Sequence, residues 1–262
     1  MEPAPQANLT EIFSSIQGEG PDIGRRHLFV RFYGCHRRCV YCDSPETVTA
    51  MQPPGYRPGA FWVEDPPGSN QLRSESNPVT ASVLMALIEA WDEPRGVHHA
   101  VVATGGEPLL HAAFLGHWFP MVQARGLRTY LETAGDLYHE LEKIIAVTDR
   151  VAMDIKLPSV TGNEAAWGQH RRFLKVCVNA GKQVFVKTVV SAATRDDELA
   201  EAGALVRDLA PSTPFILQPM SVFGDATNPP TPAQLLAWHR ELSRTLEDVR
   251  VIPQAHKLMG AR

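Results

Sequence analysis

HLFVRFYGCHRRCVYCDS, residues 27–44, joins a run of aromatic and β-branched side chains to three cysteines, Cys35, Cys39 and Cys42. The first part, HLFVRFYG (27–34), has the composition of a buried strand, and it delivers the strand's end directly to Cys35. From Thr80 onward the pattern repeats in a way that sets the fold. A helix over about 81–91, capped by Thr80, leads to AVVAT (100–104), and a helix over about 108–125 leads to LRTYLET (127–133). A helix near 136–147 precedes VAMDIK (151–156), one near 164–180 precedes QVFVKTVV (183–190), and one near 195–209 precedes PFILQP (214–219). A last helix over about 232–247 runs into VRVIP (249–253). Strands alternating with helices signal βαβ units, a parallel sheet and right-handed crossovers. With the strand at 27–34 the sequence predicts an α/β fold of six to seven mostly parallel strands with outer helices. That is too few for a complete eightfold barrel, so the expectation is an open or partial barrel in one domain over 1–262, with its ligand site at the C-terminal strand ends.

Before residue 80 the sequence is irregular. Pro45–Pro78, with PPGYRPG, EDPPGSN and SESNP, cannot hold a long helix or a central strand and reads as an insertion or lid. Across 262 residues, 25 Lys and Arg face 29 Asp and Glu for a net charge of −4, with 44% hydrophobic residues. That apolar fraction and small charge exclude disorder, and the mildly acidic balance argues against a broad grip on nucleic acid or anionic lipid. No window approaches the roughly 18 apolar residues of a bilayer span. The start, MEPAPQANLTEIF, lacks the basic and apolar runs of a signal peptide. A cytoplasmic protein with no membrane or nucleic-acid partner is expected.

Four cysteines cannot form a disulfide scaffold, and three of them fall within residues 35–42. The spacing C-x3-C-x2-C lets three thiolates converge on one soft metal centre. Three ligands fall short of the four that saturate a cubane iron–sulfur cluster, leaving one iron open to a small molecule. A structural zinc held by the cysteines and His36, or cysteines that simply pack, are the alternatives at this level. Cys177, alone in KVCVNAG, reads as a small buried residue.

This loop at the end of the first strand, with Tyr41 before the third cysteine, resembles the radical S-adenosylmethionine (SAM) superfamily. The resemblance implies an incomplete radical SAM β/α barrel and a [4Fe-4S] cluster on Cys35, Cys39 and Cys42, whose open iron chelates SAM. It also implies an electron donor such as flavodoxin or ferredoxin. The 45–78 segment departs from the family's pattern, and a docking place for an electron donor or a regulator and a disordered excursion are both open readings of it. Thr104-Gly105-Gly106-Glu107-Pro108 is similar to the motif that lines the methionine end of SAM; Gly106 allows a close backbone approach and Glu107 is placed to receive an ammonium. Gly-Gly before a helix is also a common strand-to-helix turn.

Within that superfamily, FSSIQGEG (13–20), Gly24, FVRF (29–32), the cysteine loop, LETAG (131–135), DIKLPS (154–159), LQPM (217–220) and VIPQAHKLMG (251–260) are similar to the 7-carboxy-7-deazaguanine synthase family. The resemblance implies ring contraction of 6-carboxy-5,6,7,8-tetrahydropterin to 7-carboxy-7-deazaguanine with release of ammonia, a Mg2+ ion and a homodimer. It implies that Ile16, Gln17, Gly18, Arg31, Thr104, His256 and Arg262 bind the pterin, with Arg31 on its carboxylate. It assigns Mg2+ to Ser44, and SAM to Tyr41, Cys42, Asp43, Gly106, Glu107, Asp154, Ile155 and Lys156. An unpaired guanidinium on a buried strand is costly, so a protein carboxylate such as Glu19 is the alternative partner of Arg31. Glu132 and Thr133, ending another strand, are further candidates for the cavity wall. A glycyl-radical-enzyme activase would have no use for IQGEG, Arg31 or the His256 tail; a non-catalytic zinc module would purify colourless where a cubane cluster is brown, and a purely structural role does not account for the cysteines, GGEP and DIK falling at the same strand ends.

Overall fold

The computed structural model describes residues 4–48, 57–222 and 227–262. Strands β1 (Gln6–Ala7), β2 (Leu9–Ile16), β3 (Arg26–Phe32), β4 (Ala60–Glu64), β5 (Leu72–Ser76) and β6 (Val79–Thr80) come first. Helix α1 (Ala81–Trp91) then opens the regular alternation: β7 (Ala100–Gly105), α2 (Ala112–Ala124), β8 (Arg128–Thr133), α3 (Tyr138–Ile144), β9 (Arg150–Asp154), α4 (Pro158–Thr161) and α5 (Trp167–Asn179). It continues with β10 (Gln183–Val190), α6 (Asp196–Leu209), β11 (Phe215–Pro219), α7 (Pro232–Leu242), β12 (Val249–Val251) and α8 (Ala255–Leu258). Among the described residues no helix is long and apolar enough to cross a membrane.

One sheet of ten strands runs β12-β11-β10-β9-β8-β7-β3-β2-β4-β5 without closing on itself, and β3 with β7 to β12 forms the parallel wall of an incomplete barrel. Those seven strands are the ones expected from the alternation. Both faces of the wall are covered, which is why they read as nearly continuous apolar runs. Leu28, Val30 and Phe32 pack outward, Phe32 meeting the rings of Phe114 and Trp118 on α2 at 5.9 and 6.2 Å. Facing inward, Phe13, Phe29, Val102, Tyr130, Phe185 and Ile216 form a second apolar cluster, with Phe13 stacked on Phe29 at 5.1 Å.

Three regions differ from expectation. LTEIFSSI forms β2, antiparallel to β3; its three serines and threonines broke the apolar pattern, yet Leu9, Ile12 and Phe13 are buried. The 45–78 segment, of which residues 49–56 lie outside the described residues, contains β4 and β5, and β4 pairs on both sides. Pro66 and Pro67 fall in the turn between them, so no proline removes a ladder donor from either strand. The last long helix is shorter than its expected 232–247. Arg244 N donates to Glu241 O, three residues back, and the tightened turn ends α7.

Candidate active site

The C-terminal strand ends surround a cavity of about 220 Å³. The loop after β3 brings Cys35, Cys39 and Cys42 to its wall, and Tyr41, Asp43 and Ser44 line it beside them. The turn after β7 packs on that loop: Gly106 N donates to Phe32 O at 3.1 Å and Glu107 N to Gly34 O at 2.7 Å. A Cβ on Gly106 would lie 2.1 Å from Gly34 O and 3.2 Å from the Cys35 Cβ, so only glycine allows the approach.

Loops from the neighbouring βα units hold the cysteine loop from outside. Asp136, after β8, accepts from His36 Nε2 at 2.8 Å and from Arg37 Nε at 2.8 Å. Asn163, after α4, donates to Cys39 Sγ at 3.4 Å, and Arg37 N donates to Cys35 Sγ at the same distance. Among the described residues, no three of Cys35, His36, Cys39 and Cys42 have their ligand atoms all within 4.8 Å of one another, as a single tetrahedral zinc with bonds of about 2.3 Å would require. His36 is committed to Asp136. Three thiols spread around one cavity, two of them receiving N–H donors, fit the larger iron–sulfur cluster. Burial pushes the Cys35 thiol up to about 12 and the Cys42 thiol upward as well, an arrangement that favours a bound cation over bare thiolates.

The opposite wall is built from the turn after β2 and the end of the chain. Ala255 N donates to Gly18 O at 2.9 Å, and a Cβ on Gly18 would fall 2.1 Å from His256 Nδ1 and 2.5 Å from His256 N. Gln17 Nε2 and Thr104 Oγ1 donate to the two oxygens of Glu132 at 3.0 and 2.8 Å. Glu19 binds Lys187 in a short ion pair and accepts from Gln254 at 2.9 Å and Gln218 at 3.2 Å. Burial opposes ionisation of Glu19, but the Lys187 ammonium outweighs it and holds the carboxyl at about 2. Lys187 also lies 3.5 Å from Asp154, which receives Lys156 at 2.8 Å.

Arg31 donates from Nε to Glu11 at 2.8 Å and from NH1 to Ser44 Oγ at 2.8 Å. Its protein carboxylate is therefore Glu11, which also pairs with Arg262, whereas Glu19 belongs to Lys187. The carbonyl oxygen of Arg262 accepts from Ser15 Oγ at 2.8 Å. Ile16, Gln17, Gly18, Arg31, Thr104, Asp154, Lys156, His256 and Arg262 all line the cavity.

The structure does not bring Glu107 or Ile155 to that wall. Glu107, at 0% exposure, spends its carboxylate on Leu109 N, Thr133 Oγ1 and Ala134 N at 2.8–3.1 Å, locking the turns after β7 and β8 together. Ile155, also at 0%, faces the core. Lys187, Gln218 and Gln254 line the site without having been assigned a role in the sequence; Gln218 and Gln254 lie in the family segments LQPM and VIPQAHKLMG, and a lysine among the valines of VFVKTVV was the local signal for Lys187. Six cationic and four acidic side chains line the cavity of a chain whose net charge is −4, so the local field favours anionic ligands. The buried Asp154 Oδ1 and Gln218 Oε1 have no partner, two acceptors left for polar ligands.

The radical SAM superfamily model matches residues 29–202. A 7-carboxy-7-deazaguanine synthase of Geobacter sulfurreducens is 38% identical over 98% of both chains, and one of Methanothermobacter thermautotrophicus is 31% identical, also over 98% of both. The crystal structure of QueE from Escherichia coli shares the fold with a TM-score of 0.58, covering 96% of this chain and 95% of its own at 21% identity. Motif, cavity and full-length similarity converge, and the chain belongs to the 7-carboxy-7-deazaguanine synthase family of radical SAM enzymes.

Proposed function

We propose that this chain converts 6-carboxy-5,6,7,8-tetrahydropterin to 7-carboxy-7-deazaguanine with loss of ammonia, and that the cavity at the strand ends holds both the pterin and SAM. A cluster on Cys35, Cys39 and Cys42 supplies, when bound, the electron that splits SAM into methionine and a 5′-deoxyadenosyl radical. The single observation that carries the reading is one cavity with three cysteines on one wall and a surface rich in amides and cations on the other. Arg31 exchanges part of its pairing with Glu11 for the pterin carboxylate, a charge-assisted contact at low desolvation cost because the guanidinium is already buried. Gln17, Thr104, Glu132 and His256 present donors and acceptors to the ring edges, and the Gln17–Glu132–Thr104 chain fixes their orientation before substrate arrives. Tyr41, Asp154 and Lys156 form the SAM side: Lys156 lies over the Tyr41 ring at 5.4 Å and leaves Asp154 Oδ1 unpaired.

Ser44 and Asp43 supply the oxygens for Mg2+. The Arg31 guanidinium, opposed by burial, keeps Asp43 below the usual carboxylate range, and the Asp43 and Ser44 side chains are 3.4 Å apart. A hard cation that retains several waters takes so few protein ligands readily. The reaction runs in a homodimer fed by a flavodoxin- or ferredoxin-type reductant, and a solution mass of twice the chain mass checks the dimer.

The test is an anaerobic assay of reconstituted protein with SAM, reductant, Mg2+ and 6-carboxytetrahydropterin. Mass spectrometry should find 5′-deoxyadenosine and 7-carboxy-7-deazaguanine together. Deoxyadenosine without the deazaguanine would keep the radical chemistry and overturn the substrate.

A further inference from the structure

The opposite pole of the barrel, at the N-terminal strand ends, holds a second cavity of about 330 Å³ that the proposed reaction does not use. Asp22, His99, Arg128, Tyr130 and Arg150 line it. Behind them lies His27, at 0% exposure, with neither ring nitrogen partnered; the buried Tyr130 hydroxyl, on a ring edge-on to His27 at 5.7 Å, is likewise unpaired. Buried polar atoms nearly always find partners, so three orphans beside one cavity indicate a ligand or trapped water. One carboxylate oxygen of Asp22 and one ring nitrogen each of His27 and His99 all lie within 4.8 Å of one another. Two imidazoles and a carboxylate are the donor set of a zinc-type ion.

Two arginines share these atoms, and they differ in what they leave free. Arg150 binds Asp22 Oδ2 and spares Oδ1, where it orients the carboxylate from outside. Arg25 contacts both ring nitrogens of His99 and lies 3.5 Å from Asp22 Oδ1, but its side chain is 53% exposed and can swing into solvent. We propose that Asp22, His27 and His99 form a zinc-type divalent metal site, with Arg25 as the side chain that yields to the ion. The site ties the turn after β2 to β3 and to the start of β7. That same turn carries Gln17, Gly18 and Glu19, so the ion braces the catalytic wall from the far pole.

Cluster-loaded holoenzyme, its iron content measured first so that the cysteines are known to be occupied, is titrated anaerobically with Zn2+ by calorimetry. The wild type should bind about one equivalent per chain and melt at a higher temperature with zinc than without. His99→Ala, at a half-buried surface position, should weaken binding by at least about tenfold, whereas Arg25→Ala should tighten it by removing the competitor. His99→Ala titrating like the wild type would overturn the site. Zinc binding left unchanged or weakened in Arg25→Ala would overturn it too, leaving an arginine-paired cluster around buried water.

Discussion

Arg31 is a buried cation with two protein partners, Glu11 and Ser44, and Glu11 holds a second arginine, Arg262. Replacing Arg31 with alanine leaves Glu11 paired, so the fold should survive while the pterin loses its carboxylate partner. Loss of a charge-assisted contact of about 1.5–3 kcal/mol predicts a KM for the pterin raised roughly ten- to a hundredfold. SAM cleavage should continue uncoupled, seen as deoxyadenosine in excess over deazaguanine; loss of SAM binding instead would assign Arg31 to the other ligand. Glu19 gives a pH prediction. It ionises at about 2 in the fold against an ordinary 4.5, because Lys187 outweighs burial. The unfolded chain therefore takes up this proton first as the pH falls. The stabilisation is whole above about pH 4.5 and is lost as the pH drops toward 2. Urea unfolding across acid pH should show a shallower loss for Glu19→Gln than for the wild type; equal slopes would place the acid sensitivity on Asp43 and Asp136, whose carboxyls are also held low.

At the level of elements, the site depends on turns that approach each other more closely than side chains permit. Gly106→Ala forces the β7 turn off the cysteine loop, and iron per chain after reconstitution should fall together with SAM cleavage. Gly18→Ala instead strikes the His256 backbone and pushes α8 away. It should raise the pterin KM with the cluster intact, so iron content separates the two variants. GGEP was legible as a close-approach motif because it follows a strand directly. The need for glycine at position 18 was not, since it comes from a tail more than two hundred residues further on. Strand β2 was hidden for a related reason: Ser14 and Ser15 interrupt its apolar pattern, and their roles, a contact with His98 and one with Arg262, exist only once the chain has closed.

Across the whole molecule, an apolar belt inside the barrel separates the two polar poles. Phe185 lies in it, with Tyr130 at 6.4 Å and the backbone of Gly20 against its ring. Phe185→Ala should cost about 3–5 kcal/mol through lost burial and a residual cavity. The midpoint of chemical denaturation should drop with little change in slope. A shift below about 1 kcal/mol would mean that the belt relaxes around the gap.

The sequence by itself determined the seven parallel strands, the helices between them, the cysteine loop and the family, because burial on both faces writes continuous apolar runs and ligand loops have local spacing. The tertiary structure alone decided how the charges pair: Arg31 with Glu11 rather than Glu19, Glu19 with Lys187, and Glu107 in the wall between two turns rather than on the cavity. A charge takes whichever opposite partner shares its low-dielectric surroundings. For Glu19 and Lys187 those surroundings are assembled by strands and turns 168 residues apart in the chain.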